Sequence, residues 1–184
     1  MSRRERDFST RPKRQPSRER MPAREIEFEG PIGTIHLLEG GAARYELRID
    51  AEGRWFHEGV EIVRDDIRVL FSRSLVRRKN GEYYVEIAND EFPVIVEDVP
   101  LIVARVTRNP KGDLMLLLND GAAERLEART IIFRDNVPYC DVRSNIEARF
   151  SRPAYYQLAQ FIEYDEKEKK YYLMADGKTV YLDA

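Results

Sequence analysis

From residue 32 onward the chain is a succession of short apolar stretches cut apart by turn residues, and this limits the fold more than any other feature. Residues 32–38, 45–49, 54–56, 82–87, 92–96, 101–107, 114–118, 130–133 and 137–140 each have the length and patterning of a strand. Gly40-Gly41, Asp50-Ala51-Glu52-Gly53, Asn80-Gly81 and Asn109-Pro110-Lys111-Gly112 punctuate them. The chain closes in a hairpin, 170–174 with 179–182, turned at Asp176-Gly177. Two segments read as helix. Ile67, Leu70, Phe71 and Leu75 recur at helical spacing, which predicts a helix over 65–76 with Asp65 and Asp66 in its first turn and Arg77 and Arg78 in its last. A second helix is expected to open near Ser144. Pro153 either breaks it or starts a new helix through Phe161. Strands outnumber helices and mostly follow one another, so the expected class is α+β with antiparallel sheets.

A short repeat runs through this pattern. Ile67, Phe71, Ser72 and Arg73 recur as Ile146, Phe150, Ser151 and Arg152, an offset of 79. An aromatic strand precedes each copy (Trp55-Phe56, Pro138-Tyr139), and a Tyr-Tyr strand follows (Tyr83-Tyr84, Tyr171-Tyr172). We read two related halves built from a duplicated strand-helix-strand unit. The expected domains are a basic tail over 1–25, an N-terminal α+β repeat over 26–88 and a C-terminal β-barrel-like repeat with a helix over 89–184. Two packed halves leave a groove at their junction, a common place for small-molecule sites.

Charge sets the tail apart. Residues 1–25 carry nine basic and four acidic groups, a net +5, against −7 in the remaining 159 residues. So little apolar surface cannot offset ordering entropy, and the tail is expected to be disordered. A basic arm admits three readings: a solvated tail, a contact with the acidic body, or contact with nucleic acid or an anionic membrane. It has neither the apolar stretch of a secretory signal nor the acid-poor composition of a transit peptide, so the cytoplasm is expected. No apolar run approaches the roughly 20 residues of a membrane span.

Chemistry-bearing motifs are scarce. One cysteine, Cys140, precludes an intramolecular disulfide. Two histidines, His36 and His57, leave little for a zinc site, and no metal or cofactor is expected. Gly177-Lys178-Thr179 resembles the end of a P-loop, but the glycine required five residues earlier is Tyr172. His57-Glu58 does not continue as HExxH, since position 61 is glutamate. Cys140 lies in an apolar stretch and reads as a small core residue. Trp55 reads as a core anchor. His57 is either a structural histidine or a cleft residue titrating near neutrality. Glu97 and Asp98 follow an apolar strand. Adjacent strand residues point to opposite faces, so they are not automatically a catalytic pair. Arg143, next to the expected helix start, either holds an anion or forms a salt bridge.

GRWFHEG at 53–59, LFSRSL at 70–75, NGEYYVEI at 80–87, VEDVPL at 96–101 and PYCDVR at 138–143 follow the order of a bacterial family, domain of unknown function 1285 (DUF1285). The resemblance covers about residues 45–172. It implies an α+β fold from a duplicated unit and a pleckstrin-homology-like C-terminal half. It also implies a binding groove between the halves for a nucleotide-like ligand, and a role in signal transduction or stress response. Carried onto this chain, the site residues are His57, Glu58, Glu97, Asp98, Tyr139 and Arg143. The loops Ala88-Asn89-Asp90-Glu91 and Leu118-Asn119-Asp120-Gly121 depart from the family pattern, as does the basic tail.

The expected function is a non-enzymatic binder of a small anionic ligand. Arg143 would take the charge, Tyr139 would stack or hydrogen-bond, and His57, Glu97 and Asp98 would orient the ligand. The alternatives are nucleic-acid association through the arm, a carboxylate hydrolase or transferase, and a protein scaffold.

Overall fold

The structure, a computed structural model, describes residues 24–30, 33–39, 47–88, 90–143, 145–175 and 177–182. The tail expected over 1–25 lies outside them except for Arg24 and Glu25, and the Gly40-Gly41 connection lies outside them as well. The chain divides into two units, Met1–Ala42 and Ala43–Ala184. In the first, β1 (Arg24–Gly30) and β2 (Gly33–Glu39) form an antiparallel hairpin in register from Arg24↔Glu39 to Gly30↔Gly33.

The second unit contains two six-stranded sheets of matching topology. The first uses β3 (Leu47–Ile49), β4 (Trp55–His57), β5 (Val60–Glu61), β6 (Leu75–Arg77), β7 (Tyr83–Ile87) and β8 (Asp90–Val96), in spatial order 5-4-3-8-7-6. Helix α1 (Asp65–Arg73) separates β5 from β6. The second uses β9 (Leu101–Arg108), β10 (Leu114–Leu118), β11 (Ala123–Arg125), β12 (Ile132–Arg134), β13 (Val137–Val142) and β14 (Ile146–Phe150), in order 11-10-9-14-13-12. In each, the first and last strands meet as the only parallel pair. Leu47 faces Val94 and Leu101 faces Ala148, a separation of 47 residues both times. The described residues are therefore mostly antiparallel sheet in two halves of similar strand order, with two helices, as an α+β fold would have. Helix α2 (Arg152–Ala159) lies across β9 and β14. The chain then forms a three-stranded antiparallel sheet from β15 (Ile162–Asp165), β16 (Lys170–Ala175) and β17 (Lys178–Leu182).

Alternation puts the cores on one face of each sheet. In the first half Leu47, Ile49 and Val85 are sealed, and α1 lays Phe71 against Trp55 with ring centroids 5.6 Å apart. In the second, Leu101, Val103, Leu116 and Leu118 are sealed, with Ala154 and Leu158 of α2 also buried.

Five expectations change. The first helix ends at Arg73, not Val76. The Ser74 amide closes on the Leu70 carbonyl, and the Ser74 carbonyl accepts from the Glu86 amide, so Leu75 begins the β6–β7 ladder. The helix expected at Ser144 is instead β14, because Ile146, Ala148 and Phe150 alternate inward. The new helix started by Pro153 does form, capped by Ser151, whose hydroxyl accepts from the Ala154 amide at 3.3 Å. The sequence match at offset 79 pairs a helix with a strand and its following cap, so it is not the structural repeat. Finally, β7 and β8 pair across the boundary set at 88/89, and the first half runs on to Val96. The barrel expected in the C-terminal half is a sheet with β11 and β12 as its edges.

Candidate functional site

Four residues, Glu97 to Pro100, connect the two halves, and their side chains divide between them. Glu97 engages Arg48 of β3 and accepts from the Ala51 amide at 3.2 Å. Asp98 pairs instead with Arg149 of β14 at 3.3 Å and accepts from the Tyr139 hydroxyl at 3.3 Å. The two adjacent acids thus each hold the arginine of a different half. Val99 packs with Ile102 and Tyr139 in a small apolar cluster, and the Arg134 guanidinium lies 4.6 Å above the Tyr139 ring. Burial, and then the Asp98 charge, raise the Tyr139 phenol above its ordinary range.

Arg143 sits in a second cluster. It adopts a left-handed backbone (φ 50°) in the β13–β14 turn. Its guanidinium pairs with Asp120 and with Glu124 at 3.1 Å, and donates to the Ser72 carbonyl of α1 at 2.6 Å. The Ser72 hydroxyl donates to Asp120 at 2.9 Å. Burial by itself would push the Asp120 carboxyl up. Hydrogen bonds from Arg143, the Ala122 amide and Ser72 outweigh it and hold the carboxyl below the usual range. Arg143 is thus the central tie between the halves, and its charge is already matched by two carboxylates. Asn119, from the same loop as Asp120, receives the Ile102 amide at 3.2 Å and donates to the Gly53 carbonyl at 3.4 Å.

The structure therefore joins Asp98 to Tyr139, and it places Glu97 beside them in sequence but on Arg48. His57 is half-buried at the end of β4, in register with Leu47 and Val60. Glu58 is exposed in the following turn with φ 50°. Cys140 is buried, which pushes its thiol up to about 12 and keeps it protonated at neutral pH. Among the described residues no group of three or more metal-ligating side chains comes together, and no helix is long and apolar enough to cross a membrane.

Three clefts open among the described residues, and one of them is bordered by Asp98. A cleft of about 310 Å³ is bordered by Arg125, Arg129 and Lys178, with Thr179 and, as the one carboxylate among the described residues, Glu127. The 3₁₀ turn Ala128–Thr130 presents Arg129, and the start of β17 presents Lys178. Arg129 and Lys178 form no ion pair among the described residues. A second cleft, about 300 Å³, involves Arg108, Lys111, Asp113, Met174 and Gly177. A third, about 370 Å³, is lined by Tyr83, Tyr84, Pro93 and Ile95 with Glu82 and Asp98, and offers carboxylates rather than cations. Arg129 and Lys178 are 49 positions apart in sequence, and the only local signal was the Gly177-Lys178-Thr179 run.

Residues 41–99 match the model of the N-terminal domain of the domain of unknown function DUF1285. No curated protein matches the chain. Among solved structures, a DUF1285 family protein from Silicibacter pomeroyi DSS-3 is 25% identical, with a TM-score of 0.64 over 74% of this chain and 77% of that one. A DUF1285 family protein from Shewanella baltica OS155, 21% identical, shares the fold with a TM-score of 0.57 over 62% of this chain and 90% of that one. The motifs at 53–59, 80–87 and 96–101 fall on the β3–β8 sheet and the connection that leaves it, so sequence pattern, family model and fold agree: residues 41–99 match the N-terminal domain of DUF1285, a domain of unknown function, and the chain is similar in fold to solved members of that family.

Proposed function

We propose that the protein is a non-enzymatic binder of a small anionic, nucleotide-like ligand, and that the ligand sits in the Arg129–Lys178 cleft and not at Arg143. One observation carries this reading. The cleft is within the size range of small-molecule sites, and it presents Arg129 and Lys178, neither of them ion-paired among the described residues. Arg143 has two carboxylates of its own and no charge to spare. An arginine and a lysine facing a common space suit a phosphate: the planar guanidinium binds two oxygens at once, and the ammonium adds a mobile point charge. A protein that holds such a ligand without turning it over reports its concentration, which is the signalling role the family resemblance implies.

Calorimetric titration with AMP and with orthophosphate tests the reading. AMP is expected to bind the full chain, and Arg129→Ala with Lys178→Ala is expected to weaken it about tenfold or more, the scale of a lost charged hydrogen bond. Unchanged affinity in the double variant removes the cleft from the site. Absence of AMP and phosphate binding to the wild type removes the reading.

A further inference from the structure

The two edges of the second sheet differ. β11 consists of Ala123, Glu124 and Arg125, none of them large and apolar. β12 exposes Ile132 and aims Phe133 at the face that α2 covers, where its ring meets Tyr155 edge-on at 6.4 Å. Tyr155 stacks in turn on Tyr156, with centroids 6.3 Å apart, and Tyr156 is 65% exposed.

Register decides what the β12 backbone offers. Asp135 and Asn136 have φ of 49° and 62°, so β12 and β13 are joined by a two-residue type I′ turn. Arg134 and Val137 flank that turn as a hydrogen-bonded pair. Bonded and non-bonded pairs alternate along an antiparallel ladder. Phe133, opposite Pro138, is therefore non-bonded, and its N–H and C=O point away from β13. No strand lies on that side among the described residues.

We propose that β12 takes up an extended segment of a partner protein as a seventh strand, and that this segment carries an apolar residue flanked by carboxylates. Phe133 supplies one main-chain donor and one acceptor, and Tyr155 and Tyr156 receive the apolar side chain. The charge preference comes from Arg152. It stands in the first turn of α2, three and four residues before Tyr155 and Tyr156, and so on the same helix face. It is exposed and forms no ion pair among the described residues. The same arginine argues against a second copy at this edge, since antiparallel pairing about Phe133 would gather Arg152 of both copies onto one face.

The probe is a blocked heptapeptide, Thr-Glu-Thr-Phe-Thr-Glu-Thr, whose Phe and two Glu share one face when extended. Amide NMR on the full chain is expected to show binding through shifts centred on residues 132–134 and Tyr156. An N-methyl group on the peptide's Phe removes a main-chain donor and is expected to weaken binding about fivefold. Arg152→Glu is expected to weaken it by about as much, and an acid in the first turn of α2 leaves the fold intact. Tyr156→Ala, at a side chain already exposed, is expected to do the same. Lys in place of both Glu in the peptide is expected to abolish binding. A Lys peptide that binds as tightly overturns the acidic partner, and N-methylation without effect overturns strand addition. Shifts that avoid residues 132–134 overturn the site. Shifts there that grow with protein concentration in the absence of peptide identify a second copy as the occupant and overturn the partner. No binding at millimolar peptide overturns the proposal.

Discussion

The two six-stranded halves share a strand order but are covered by different means. The first inserts α1 between its third and fourth strands and places Phe71 on Trp55. At the same point the second has only the 3₁₀ turn Ala128–Thr130, and α2, which follows the sheet, covers it instead. The strand order is the invariant, and the cover is replaceable, because a sheet face needs only apolar volume laid on it. Charge is also exchanged between equivalent positions. Arg48 faces Ile95 across the central parallel pair of the first half, and Ile102 faces Arg149 in the second. Each arginine then finds its own acid in the connection, Glu97 or Asp98.

The chain supplies one natural reporter for each half, since its only tryptophan is Trp55 and its only cysteine is Cys140. Tryptophan fluorescence and thiol labelling in denaturant then ask whether the halves unfold together. The largest expected effect is Phe71→Ala, which empties the contact with Trp55 and should cost about 4 kcal/mol. Both reporters are expected to shift equally; a shift in fluorescence alone would show that the halves are independent.

Arg143→Ala comes next, at about 3 kcal/mol, because it leaves Asp120 buried without its counter-charge. Here the reporters are expected to separate, since the tie to Ser72 is lost. The Asp120 carboxyl sits below its usual range in the folded state. The stability it contributes is present above about pH 4 and is lost as pH falls through that lowered value. Without Arg143 the carboxyl rises, so acid unfolding monitored by circular dichroism should begin at higher pH. An acid limb unchanged from wild type would break the argument.

Gly53→Ala is the smallest of the three, at about 2 kcal/mol. The residue has φ 76°, and a Cβ there would lie 2.8 Å from both Asn119 Nδ2 and Ile102 Cγ1, across the junction. Its thermal midpoint should fall without separating the reporters. A wild-type midpoint would mean that the junction yields freely.

The strands of the sheets were largely legible in the sequence because half-buried strands alternate and turn residues mark their ends. The exceptions have physical causes. Ile146, Ala148 and Phe150 alternate inward as plainly as any strand, so the helix expected near Ser144 does not form. Leu75 and Val76 continue a helical spacing, and only the pairing of Ser74 with Glu86 reveals the break. Two six-stranded halves of the same strand order are present, but their spacing was invisible because what repeats is strand pairing, not side chains. Of the candidate residues, Asp98 and Tyr139 do meet. The role of Arg143 turned on Asp120, which stood in a loop remarked only for departing from the family pattern. Arg129 and Lys178 are joined by tertiary folding alone, and no local pattern announces them.

The central parallel pairing has a consequence for synthesis. In each half the strand that starts the sheet is completed by the one that ends it, 47 residues later. Neither sheet can close until its last strand has left the ribosome, and long-range pairings of this kind form slowly. Once Val96 emerges, however, the first half has every strand it needs. It can fold while the second is still being made, so β3 and β8 are already paired before β9 and β14 compete for them. Two sheets of the same strand order are thereby protected from exchanging strands.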